Sequence, residues 1–118
     1  MAKFKKFLKE NDVSFKPPIS VAKEAEIAIK WKEEHGDEVD GGTQVGWIRA
    51  NQLANRKEIS LDIIKRMKAF FDRHEKNKSV DPKYKDEPWK DNGKIAWLAW
   101  GGDSGRKWVE EILNKLGE

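Results

Sequence analysis

Three tryptophans surround a glycine turn in AWLAWGGDSGRKW, residues 96–108, and no other stretch constrains the chain as much. An indole ring buries more apolar area than almost any other side chain. Trp97, Trp100 and Trp108 are therefore expected to pack closely against a core, with the Gly-Gly-Asp-Ser-Gly turn as the structural corner between two helices. Glycine admits the positive φ and the close approach that such a corner needs. Asp103 or Ser104 is the expected cap of the helix that follows, whose apolar face is Trp108, Val109, Ile112, Leu113 and Leu116. Backbone amides at a helix start can hold an anion, but Asp103 is expected to fill that position itself.

The remaining pattern is helical. At 118 residues the chain has room for one domain around one core. Ser20 is the expected cap of a helix running to about residue 35, with Val21, Ala25, Ala28 and Ile29 on one face and Gly36 as its stop. After the DEVDGG loop, a second helix is expected over 45–55 with Trp47, Ala50, Leu53 and Ala54 inward. A third is marked by Ser60 as cap, by the Ile59 and Ile64 staple and by Asp62 in its first turn. Its apolar stripe is Ile63, Ile64, Met67, Phe70, Phe71 and His74.

KNKSVDPKYKDEPWKDNG then reads as one long ordered loop. Tyr84 and Trp89 are expected to anchor it, and Arg49, Arg66 and Arg73 to hold it through Asp81, Asp86 and Asp91. The spacing of KIAWLAW fits either a short buried helix or a strand, and its helical neighbours favour the helix. The fold class is thus all-α: a compact bundle of four or five helices with a tryptophan-rich core, over residues 19–118. A basic N-terminal arm, 1–18, precedes it and ends at the helix-breaking Pro17 and Pro18.

Charge is unevenly spread. Residues 1–18 carry a net +3, 19–43 a net −4, 44–78 a net +5 and 79–118 a net −1. The middle segment is where an anionic partner is favoured. GWIRANQLANRKEISLDIIKRMKAFF can be drawn as helix, turn, helix, making Arg49, Lys65, Arg66, Lys68 and Arg73 candidate nucleic-acid contacts. Asp62 and Asp72 interrupt that face, and solvated helix surfaces of mixed charge are the plainer reading. The chain has no cysteine, which removes disulfides, Cys-ligated zinc and thiol nucleophiles. No apolar run reaches the length of a membrane span, so no membrane partner is expected.

Catalytic groupings are sparse. A Ser-His-Asp set would draw on Ser60 or Ser104 with His35 or His74, yet the serines stand where helix caps belong and the histidines in helix bodies or ends. Asp37, Glu38 and Asp40 lack the alternating ligands and closing glutamate of a calcium loop and read as a solvated acidic turn. No catalytic residue, metal or cofactor is expected.

The order WKEEHGDEV, GTQVGWIRANQLANRKEIS, IKRMKAFFDRHEKNK and PWKDNGKIAWLAWGGDSGRKW, over about residues 22–112, resembles a small domain of tailed-phage and prophage proteins. That domain stands alone or is attached to head-maturation proteases and other head-morphogenesis polypeptides. The resemblance implies a setting, host cytoplasm or virion, rather than a reaction. The expected function is a non-enzymatic protein-binding module, with a phage head component, a host protein or a second copy as partner, and DNA binding by the 44–78 segment as the alternative. Phe4, Lys5, Phe7 and Leu8 of the arm, outside the resemblance, are the expected partner contacts.

Overall fold

A computed structural model describes residues 13–117. Phe4, Lys5, Phe7 and Leu8 lie outside the described residues, and with them the expected contacts of the arm. The described chain runs β1 (Ser14–Phe15), α1 (Ile19–His35), α2 (Gln44–Ala54), β2 (Ile59–Ser60), α3 (Leu61–Arg73), α4 (Asn92–Ala99) and α5 (Gly102–Leu116). This is the all-α bundle expected, with KIAWLAW resolved as helix α4. None of these helices is long and apolar enough to cross a membrane.

Residues 13–18 are strapped to the body. β1 pairs antiparallel with β2, Ser14 opposite Ser60 and Phe15 opposite Ile59. Leu61 N donates to the Val13 carbonyl at 3.2 Å, and Arg56 Nε to the Pro17 carbonyl at 2.8 Å. Pro17 is fully buried and Phe15 packs on the core.

Two of the helix starts follow local chemistry, and that of α1 departs from expectation. Ser20 does not cap α1; it lies inside the helix, and Pro18 holds the cap position with no side-chain bond. The Pro18 carbonyl accepts from both Val21 N and Ala22 N at 3.1 Å, so no hydroxyl is required. Thr43 caps α2 by accepting from Gly46 N at 3.0 Å, and Ser60 caps α3 by accepting from Ile63 N at 3.3 Å.

The core joins α3 and α5 across α4. Ile64, Met67 and Phe71 from α3 meet Trp97 from α4 and Val109 from α5, all fully buried, with Phe71 edge-on to Trp97 at 4.9 Å. α1 presents the small stripe Val21, Ala25 and Ala28, which lets it lie against α2, α4 and α5 at once.

The long loop folds into three short 3-10 turns, Glu75–Asn77, Pro82–Tyr84 and Pro88–Lys90. Trp89 anchors it, stacking on His35 at 3.6 Å and donating Nε1 to Glu38 at 3.1 Å. The expected arginine clamp is not formed: no ion pair among the described residues joins Arg49, Arg66 or Arg73 to Asp81, Asp86 or Asp91. Asp91 is instead taken by backbone amides, accepting from Asp81 N at 2.7 Å and from Lys94 N at 3.1 Å as the cap of α4. A carboxylate that can satisfy amides at both ends of a loop has no need of a distant guanidinium.

Candidate functional site

The tryptophan corner satisfies itself, though not as its sequence suggests. Neither Asp103 nor Ser104 caps α5; the cap position is Gly101, with no side-chain bond. Asp103 Oδ1 accepts from Trp97 Nε1 at 2.8 Å, giving the most deeply buried indole its hydrogen-bond partner. The anion position at the start of α5 is filled from far along the chain: Glu24 Oε2, on α1, accepts from Ser104 N at 2.6 Å. Gly102, at φ +64°, lies directly against that carboxylate, where any Cβ would collide.

The three corner tryptophans separate. Among the described residues no two of their rings pair directly; Phe70 bridges Trp97 and Trp100, at 6.4 and 4.7 Å. Trp108 is half-buried and lines a separate groove with Pro18, Ser20, Ser104, Lys107 and Glu111.

The five candidate nucleic-acid residues do not share one open face. Arg49 is 7% exposed, with its guanidinium 5.2 Å from the Trp100 ring centroid and Nη1 donating to Gln52 Oε1 at 2.6 Å. Its Nε is buried without a partner, and burial, followed by the nearby charge of Arg66, pushes its pKa below the ordinary arginine value. Arg66 pairs with Asp62 at 3.0 Å and Lys68 with Asp72 at 2.6 Å, each one helical turn apart. Lys65 is half-buried, and Arg73 is exposed at the end of α3.

The serines and histidines are occupied separately. Ser60 is a cap, and His35 lies on Trp89. His74 is half-buried, its ring 4.6 Å from Phe70 and its Nδ1 3.5 Å from Asn77 Nδ2. Among the described residues no three histidine or acidic side chains gather as a metal site, and Glu38 is shared by Trp89 and Lys90.

Two surface features were not legible beforehand. On α2, Val45 and Ile48 stand 52% and 51% exposed. A groove of about 330 Å³ is lined by Ile48 with Asn51, Gln52, Asn55 and Lys57. Their signal lies in the sequence, two apolar residues three apart on the back of the inward stripe, but such residues are also common on ordinary surfaces. The second feature is a cleft, also about 330 Å³, between the 40–43 turn and the ends of α3 and α4, lined chiefly by Asp40, Thr43, Gly46, Phe70, His74 and Trp100.

Compared with protein-family models, with curated proteins and with solved structures, the chain matches none.

Proposed function

We propose that this chain is a non-enzymatic, phage- or prophage-type accessory protein that binds protein in head morphogenesis or virion structure, within the host cytoplasm or the virion. The exposed face of α2 is its described contact surface. The observation that carries this reading is the pair Val45 and Ile48, both more than half exposed, with Ile48 on the edge of a groove with an amide-rich wall. An apolar centre rimmed by polar groups is the composition of a protein contact. The phage setting is supported by the resemblance of residues 22–112 alone.

DNA binding through 44–78 is the weaker reading. It needs cations on one accessible face, whereas Arg49 is buried and Arg66 and Lys68 are paired with acids on their own helix. One pair of measurements separates the two. Short-duplex binding is expected to be negligible at physiological salt, while affinity capture from infected or lysogenic cells retains a protein partner that the Val45→Asp, Ile48→Asp double variant loses with its circular dichroism unchanged. Tight duplex binding that falls steeply with salt and vanishes in a Lys65→Glu, Arg66→Glu variant would overturn the proposal.

A further inference from the structure

We infer that the cleft between the 40–43 turn and the ends of α3 and α4 is a binding site for a small aromatic carboxylic acid. The inference is independent of the α2 face. At about 330 Å³ the cleft matches the smaller end of ligand pockets. Its apolar wall is built from rings in contact: Trp100 stacks on Phe70 at 4.7 Å and 10°, and Phe70 lies 4.6 Å from His74. A flat apolar body fits against such a wall.

The polar groups decide which head the ligand carries. A Cβ on Gly46 would lie 3.4 Å from both Trp100 Nε1 and Thr43 Oγ1, so the missing side chain uncovers both atoms at one point. Trp97 and Trp89 donate their indole protons to Asp103 and Glu38, but Trp100 Nε1 has no acceptor among the described residues. Thr43 Oγ1 already accepts from Gly46 N, which leaves its own proton to donate. His74 lines the same cleft, its Nδ1 3.5 Å from Asn77 Nδ2. Asn92 adds an amide at the margin.

Charge around the cleft is divided between Arg49 behind the Trp100 ring and Asp40 at the rim. The Arg49 guanidinium packs on the Trp100 ring, and its only hydrogen-bond partner among the described residues is the neutral Gln52. The one carboxylate among them that acts on that buried charge, Asp62 on α3, lies outside the cleft lining. The one acceptor-only group in the lining is Asp40, which is exposed. A cationic ligand would find that single acid in the lining.

The test is an NMR titration of the ¹⁵N-labelled full chain with benzoate, benzamide and benzylamine, following the Trp100 Nε1–H resonance. Benzoate is expected to shift that resonance downfield to saturation, with benzamide and benzylamine each about tenfold weaker or more. Asp40→Asn is expected to tighten benzoate binding, by removing the opposing charge. Gly46→Ala is expected to abolish it without unfolding, because Gly46 has no positive φ and its added methyl makes only van der Waals contacts. A Trp100 resonance that does not respond, benzylamine or benzamide binding as tightly as benzoate, or a Gly46→Ala variant that binds like the parent would each overturn the assignment.

Discussion

The chain contains two glycine pairs, Gly41-Gly42 and Gly101-Gly102, each at the start of an α-helix and each beside a tryptophan. At the second pair the space is full: the Glu24 carboxylate takes the amide of Ser104, and Asp103 takes the Trp97 indole. At the first the glycines are packed as closely, a Cβ on Gly41 meeting Asn92 Cα at 2.6 Å and one on Gly42 meeting Trp47 Nε1 at 2.8 Å, but the threonine-capped helix they lead into opens at Gly46 onto a cleft edged by Trp100 Nε1. Glycine-rich turns of similar composition thus serve opposite ends. One admits a carboxylate from its own chain, and the other leaves donors for a ligand from outside.

The contrast predicts opposite signs for one methyl group. Gly102→Ala is expected to be the most damaging, at about 2–4 kcal/mol, since it adds a strained left-handed residue and drives Glu24 from its amide. A fall in denaturant midpoint at constant slope would measure it; an unchanged midpoint would mean the corner is looser than its contacts. Glu24→Gln keeps the acceptor and removes the charge at the start of α5, and should cost about 1 kcal/mol, with the loss shrinking at high salt. Gly46→Ala replaces a helical glycine in ordinary contact distance of its neighbours and should stabilise by about 0.5–1 kcal/mol. If thermal melting places Gly46→Ala below the parent, the cleft at Gly46 is as tightly filled as the corner at Gly102 and the comparison fails.

A second contrast lies between the two ends of the basic segment. Arg49 has withdrawn beneath Trp100, while Arg73 remains in solvent at the end of α3. Their shared charge says nothing of this difference. Arg49 follows Gly46 by three residues on α2, so the helical turn carries it over the indole edge that the glycine uncovers. Accessible charge in residues 44–78 is consequently smaller than the formal net charge implies.

What the sequence determined by itself was whatever depends on neighbours within a turn or two. Ser60 with Ile64, Met67, Phe70 and Phe71 announces α3, because a cap and an apolar period are local properties of the backbone. The all-α class and the central burial of Trp97 follow from the same periodicity and from the sheer area of the ring. Tertiary structure alone decided that Glu24 meets Ser104 across 80 positions, that His35 stacks under Trp89, and that Arg49 lies on Trp100. Each of those pairings joins groups with several chemically adequate partners in the chain. Ser104 N–H can donate to any nearby carboxylate, and Asp103, one residue away, was the local choice; it went to the indole of Trp97 because that buried N–H costs more to leave unmade than an amide which a second helix can reach. The selection among equivalent partners is made by which helices the core brings together, and that information is held in the packing of α1 against α4 and α5 rather than in any one stretch of the chain.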